Sequence, residues 1–164
     1  MPDDTLKVVM IKGFVDSLRE RSSHEALQLA LEGKLLSERL GYKKGQAQML
    51  ESIAWMYYRN SDLSEALRIA TEALNIAKQV NDRSTIASSL ISIAAIYFDQ
   101  KQFETAIVHF REAAALSEKE GDFKTYGRSL NNIGFSYIQI GNYDSATYYS
   151  NLSYELAKRA NEFY

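Results

Sequence analysis

At 164 residues with 46 % hydrophobic side chains, the chain is long enough to bury a substantial core as one domain. A net charge of −2 excludes the basic footprint of a nucleic-acid binder, and the absence of cysteine excludes disulfides, thiolate metal sites and cysteine nucleophiles. No apolar run approaches the about 18 residues that a membrane span needs, and residues 1–20 lack the apolar segment of a secretory signal, so a cytoplasmic location with no membrane contact is expected.

One proline, Pro2, and eight glycines leave long stretches free of helix breakers, which points to an all-α chain. Residues 1–4 are expected to fray. Residues 5–19 then carry Ile11, Phe14, Val15 and Leu18 at i, i+3, i+4 and i+7, one face of an amphipathic helix. Further helices are predicted over 24–40, 43–59, 63–79, 83–99, 103–119, 123–139 and 143–160. From the third helix onward one design returns every 40 residues: Leu50, Ile53, Ala54, Tyr57, Leu63 and Ala66; then Leu90, Ile93, Ala94, Tyr97, Phe103 and Ala106; then Leu130, Ile133, Gly134, Tyr137, Tyr143 and Ala146. The unit is a helical hairpin. The hairpins run over 5–40, 41–80, 81–120 and 121–160. The first is a degenerate copy, because its inner face falls one residue out of register, and a turn one residue shorter around Arg21–Ser23 would restore the alignment. Its second helix is in register: Glu25-Ala26-Leu27 precedes Glu65-Ala66-Leu67 by 40 residues.

The joints between hairpins are equally regular. Gly41, Asn81, Gly121 and Asn161 recur every 40 residues, and these residue types best tolerate the left-handed conformation that ends a helix. Asp82 and Asp122 follow directly and can cap the next helix, whereas Tyr42 cannot. Within hairpins, Asp62 with Glu65 has capping-box spacing, and Asn142 stands at the equivalent place. Ala54, Ala94 and Gly134 are small because the two helices of a hairpin cross there, with Ala66, Ala106 and Ala146 as the reciprocal contacts.

This arrangement resembles the tetratricopeptide repeat. The family's succession of large, Gly/Ala, Tyr and Ala positions is matched by Leu50, Ile53, Ala54, Tyr57, Ala66, Ala70 and Ala73, by Leu90, Ile93, Ala94, Tyr97, Ala106, Phe110 and Ala113, and by Leu130, Ile133, Gly134, Tyr137, Ala146, Ser150 and Ser153. Two features depart from it: the period is 40 rather than the usual 34, and the proline that commonly ends the second helix is missing. Longer repeats of this kind resemble those of bacterial peptide-receptor regulators, of sensor kinases and cyclases with repeat-built input domains, and of Pins-type scaffolds. The resemblance implies a right-handed α-α superhelix whose concave groove is lined by each hairpin's first helix. It implies protein or peptide binding, no catalysis and no cofactor.

If Leu50, Ile53, Ala54 and Tyr57 face the hairpin partner, the groove face of that helix is Gln48, Glu51, Ser52, Trp55, Tyr58 and Arg59. The same step gives Ser88, Ile91, Ser92, Ala95, Phe98 and Asp99, then Arg128, Asn131, Asn132, Phe135, Ile138 and Gln139. Aromatic anchors beside amide and guanidinium groups suit capture of a peptide backbone. The competing reading is that these aromatics lie between adjacent first helices. A second cluster, Tyr143, Tyr148, Tyr149, Tyr154, Phe163 and Tyr164, gives the alternative function of self-association into a homodimer. Within it Tyr143 reads as core, and Tyr148 and Tyr149 cannot both face inward. His24 and His109 each lack a second ligand at i+3 or i+4, and no phosphate loop or nucleophile motif is present, so neither a metal site nor an enzyme is expected. Replacing Ala94 or Ala106 with Leu is expected to overfill the helix crossing and cost about 1–3 kcal/mol in urea melts. Neutral melts for both would contradict the alignment.

Overall fold

Every 20 residues the backbone passes through a left-handed residue: Gly41, Ser61, Asn81, Lys101, Gly121 and Gly141, with φ between 54° and 76°. Each joint makes the same two hydrogen bonds. The left-handed residue donates its amide to the carbonyl three residues back, and the next residue donates to the carbonyl five back. Thus Tyr42 reaches Ser37, Asp62 reaches Tyr57, Asp82 reaches Ala77, Gln102 reaches Tyr97, Asp122 reaches Ser117 and Asn142 reaches Tyr137. This is a Schellman stop, which satisfies carbonyls that the ending helix would leave orphaned. The residue making the longer bond also stands at the start of the following helix, so one helix ends and the next begins within three residues.

The computed structural model describes the backbone of residues 3–162 and the side chains of residues 4–158. Its described residues form eight α-helices: α1 (Asp3–Leu18), α2 (Ser23–Arg39), α3 (Lys43–Arg59), α4 (Leu63–Gln79), α5 (Arg83–Asp99), α6 (Phe103–Glu120), α7 (Phe123–Gln139) and α8 (Tyr143–Glu162). The expected boundaries hold to within about two residues. Three expectations are corrected. Asn161 lies inside α8 rather than ending it, since asparagine permits a left-handed stop without imposing one. The α1–α2 connection is longer than the later joints, not shorter. It has no left-handed residue and leaves the helix through Arg21 N–H to the Leu18 carbonyl, taking four residues where later joints take two or three. Phe14 is exposed, while Val8 and Val15 are buried and Ile11 and Leu18 are half-buried on the inner face. Of the residues expected to fray, Met1 and Pro2 lie outside the described residues, and Asp3 already opens α1.

The chain divides into two compact units, Met1–Ser92 and Ile93–Tyr164. In the first, α2 lies between α1 and α3, and α3 pairs with α4. Two glycines allow the close approach. A Cβ on Gly33 would stand 2.8 Å from the Met49 sulfur and 2.9 Å from the Ile11 Cγ2, and one on Gly45 would stand 2.8 Å from the Val8 Cγ1. The Ala54 and Ala66 crossing is fully buried. Asp82 gathers the Thr85 hydroxyl at 2.7 Å, the Gln48 amide at 3.2 Å and the Lys44 ammonium at 3.7 Å.

In the second unit α7 pairs with both α6 and α8. Ala94, Ala106, Phe110, Leu130 and Ile133 are buried. At the last crossing, a Cβ on Gly134 would meet Ser150 Oγ at 3.2 Å and the Ala146 carbonyl at 3.6 Å, so a small residue is required there. Asp122 caps α7 by accepting the Thr125 amide at 3.0 Å, and Asn142 caps α8 by accepting the Ser145 amide at 3.0 Å.

Left-handed residues with a Cβ carry strain of about 1 kcal/mol. Lys101→Gly is therefore expected to raise stability by about 1 kcal/mol in urea melts. Gly141→Ala, whose Cβ would meet nothing within 4 Å, should lower it by a similar amount. No change in either would remove the strain. A second expectation concerns Asp122. Burial pushes its carboxyl up, but the Thr125 hydroxyl and amide and the Arg128 charge outweigh burial and hold it below the ordinary value. A depressed carboxylate adds stability above its unfolded value, and that stability is lost as pH falls through the folded value. The advantage of wild type over Asp122→Asn should be full above about pH 4–5 and fade under acid. An advantage that grows as pH falls would contradict the assignment.

Candidate functional site

The expected groove face has two different fates. In the first unit α1 lies against α3. Glu20 pairs with Arg59, and the Arg19 guanidinium sits 5.0 Å over the Trp55 ring, whose other neighbour is Tyr58 at 5.4 Å. Gln48 is engaged by Asp82. Trp55 is half-buried, and its indole N–H has no acceptor among the described residues. Glu51 is only 7 % exposed and Ile91 only 5 %, and Ser52 and Ser92 are buried with them. The expectation that Glu51 and Ile91 face solvent is corrected. The physical reason at Glu51 is that neighbouring first helices touch on this side, a contact that one hairpin's own pattern does not reveal.

In the second unit Phe98 is half-buried and meets Phe103 edge-on, ring centres 5.2 Å apart, closing the turn between α5 and α6. The α7 face is open. Arg128, Asn131, Ile138 and Gln139 are exposed, Phe135 is 59 % exposed, and Asn132 is half-buried. They form a stripe that rises about 16 Å along the helix, the length of about five extended residues. Leu130 and Ile133 anchor the opposite side of α7 in the core, so the stripe stands on a rigid helix. Phe135 supplies apolar area, Asn131 offers a donor and an acceptor together, and Arg128 supplies positive charge.

The tyrosine cluster separates likewise. Tyr149 stacks on Tyr137 with centres 5.6 Å apart and planes 15° apart, and its hydroxyl accepts the Arg111 Nε–H at 3.0 Å. Tyr148 meets Tyr149 edge-on and is exposed, as is Tyr154. Tyr143 was expected in the core and is exposed. Its counterpart Phe103 has Phe98 to lie against, whereas the residue matching Phe98 here, Ile138, is itself exposed. Phe163 and Tyr164 lie outside the described residues. Arg19, Glu20 and Arg111 act across helices rather than within the 40-residue pattern, so nothing in that pattern marks them. His109 stacks on Tyr97, centres 5.6 Å apart. Among the described residues no group of three or more His, Cys, Asp or Glu side chains could hold a metal, and no helix is long and apolar enough to cross a membrane.

Two family models, both described as tetratricopeptide repeat, match residues 46–84 and 85–159. Comparison with curated protein sequences gives no match. Among solved structures, aspartyl phosphate phosphatase F from Bacillus subtilis is similar with a TM-score of 0.86 at 16 % identity, over 98 % of this chain and 43 % of that one. BtubC (BKLC) from P. vanneervenii gives 0.79 at 17 % identity, over 98 % of this chain and 67 % of that one. A Signal Transduction ATPase with Numerous Domains protein with a tetratricopeptide repeat sensor, from Pyrococcus horikoshii, gives 0.75 at 18 % identity over 98 % and 25 %. The chain thus spans less than half the length of two of these three structures. At these identities the likeness is one of fold, an α-α solenoid of helical hairpins. From residue 46 to residue 159 the sequence is matched by its repeat models, and the chain belongs to the tetratricopeptide repeat family.

Proposed function

We propose that this chain is a non-catalytic module that captures a protein or peptide segment, and that it serves as the sensing or docking part of a larger cytoplasmic regulatory protein. The observation that carries this reading is the α7 stripe, where Arg128, Asn131, Phe135, Ile138 and Gln139 stand exposed together on one rigid helix. Exposed aromatic area beside amide and guanidinium groups is the composition of a binding hot spot. The regulatory part draws on the Pyrococcus horikoshii ATPase, in which a tetratricopeptide repeat is named as the sensor. The cytoplasmic part draws on a sequence with no cysteine to stabilise it in an oxidising compartment.

The test selects peptides on the purified chain from a displayed random library and measures their affinity by titration calorimetry. Phe135→Ala should weaken the selected peptides by about 2 kcal/mol, roughly 30-fold, with an unchanged thermal melt. Asn131→Ala and Arg128→Glu should each weaken them by about tenfold. Trp55→Ala should act less on binding than on stability, because Trp55 already packs against Arg19 and Tyr58. Peptides that bind all three α7 variants as well as wild type would move the site off α7.

A further inference from the structure

Arg19 and Arg59 lie against Glu20, and Arg68 lies against Glu65 and Glu72. Arg111, exposed on α6, is placed differently. Its neighbours one helical turn away are Ile107, Val108, Ala114 and Ala115, and it makes no ion pair among the described residues. Arg111 is held above its ordinary value first by the hydrogen bond to the Tyr149 oxygen, then by the charges that Tyr149 and Tyr137 carry when it titrates, against burial; no carboxylate contributes.

The guanidinium is nonetheless fixed. Its Nε–H donates to the Tyr149 hydroxyl at 3.0 Å. Tyr149 in turn stacks on Tyr137, ring centres 5.6 Å apart, and meets Tyr148 edge-on at 5.2 Å, so ring contacts on two sides hold the phenol. Because the phenol oxygen accepts, its own hydrogen remains to be donated, and both terminal guanidinium nitrogens keep theirs. None of these donors has an acceptor among the described residues. They are set in place before any ligand arrives, which lowers the entropy cost of ordering a long cation. Val108, 62 % exposed, and Tyr148, 63 % exposed, flank them with apolar surface.

The charges around this fork select the charge of its ligand. Lys119 stands about 12 Å farther along α6, Arg128 about 13 Å before Tyr137 on α7, and Lys158 about 13 Å beyond Tyr149 on α8. His109 is stacked on Tyr97. Glu104 and Glu118 lie two turns to either side of Arg111, Glu118 against the Tyr126 hydroxyl, and Glu112 lies about 100° around α6 with a contact of its own. Asp144 and Glu155 lie on the Tyr148 side of α8, one turn before it and two turns after. One arginine among these carboxylates balances a single added negative charge, and the second charge of a phosphate would be repelled. A carboxylate also matches a guanidinium with two parallel hydrogen bonds. With Val108 and Tyr148 open on the flanks, a bound chain can continue in both directions, which suits a side chain better than a chain end. We propose that Arg111 and the Tyr149 hydroxyl receive a glutamate or aspartate side chain from a partner protein segment lying across α6 and α8. This contact shares no side chain with the α7 stripe, so a result against one leaves the other standing.

Nuclear magnetic resonance of the whole nitrogen-15-labelled chain tests it, at constant ionic strength, through the Arg111 Nε–H signal and the amides around Tyr149. The probe is acetylated and amidated Ala-Ala-Glu-Ala-Ala, titrated into the millimolar range. It should shift these signals to saturation, and the same peptide with Gln for Glu should not. Arg111→Lys, which keeps the charge and loses the fork, and Tyr149→Phe, which keeps the stacked ring and loses the hydroxyl, should each weaken the probe about tenfold. Phe135→Ala should leave the response unchanged. If Arg111 and Tyr149 serve only to tie α6 to α8, both variants will lower the thermal melt while the probe gives no shift in wild type, and the proposal falls. Equal shifts from the Gln peptide also overturn it. Tighter binding of inorganic phosphate would make this a phosphate site, and tighter binding of Ala-Ala-Ala-Ala-Ala with a free carboxyl end would make it a chain-end site; either result overturns the assignment to a side chain.

Discussion

The Schellman joint is the constraint on which the other regularities rest. At six places, 20 residues apart, a left-handed residue turns two amides back onto the last carbonyls of a helix. The bond that ends one helix is made by the residue that opens the next, so there is no slack to absorb an extra residue. A one-residue insertion inside a helix would rotate everything beyond it by about 100°, taking the small crossing residues out of line. Gly134 meets Ala146, and Ala54 and Ala66 are both fully buried, because the spacing between joints delivers the small residues of paired helices to the same level. The unusually long period is the sum of two such steps.

The first hairpin shows what happens without that constraint. Its connection has no left-handed residue and takes four residues, and α1 settles with Phe14 outward. Close approach is obtained there by glycine instead, at Gly33 and Gly45, where Met49, Ile11 and Val8 press in from neighbouring helices. Two different devices, a fixed turn and a missing Cβ, thus bring helices together in the same chain.

Most of the fold was legible because hairpin packing has a sequence period. Alternating large and small residues at a fixed step marked the helices, their crossings and half of the joints. Ser61 and Lys101 are not legible as joints because their side chains give no hint of a left-handed backbone; context alone places them there. The candidate site was less legible. Which face of a first helix turns away from its own partner follows from the period, but whether that face stays open depends on what neighbouring hairpins place against it. Glu51 is closed off and Trp55 is half-covered by Arg19, whereas Phe135, at the position matching Trp55, is open. Contacts such as Arg19 over Trp55 and Arg111 on Tyr149 join residues of unlike hairpins or unlike chemistry and leave no periodic trace.

The different fates of matching positions have a consequence for how freely each helix can vary. Along α3 the outer side chains are committed: Arg59 to Glu20, Gln48 to Asp82 and Trp55 to Arg19, so a replacement there also removes a contact made within the fold. Along α7 Asn131, Phe135, Ile138 and Gln139 are exposed and lie outside the buried layer formed by Leu130 and Ile133. Exposed substitutions of this kind change stability by no more than about 0.5 kcal/mol. The scaffold can therefore be kept intact while the α7 surface is rewritten, which makes that helix the natural place to graft a new specificity onto this framework.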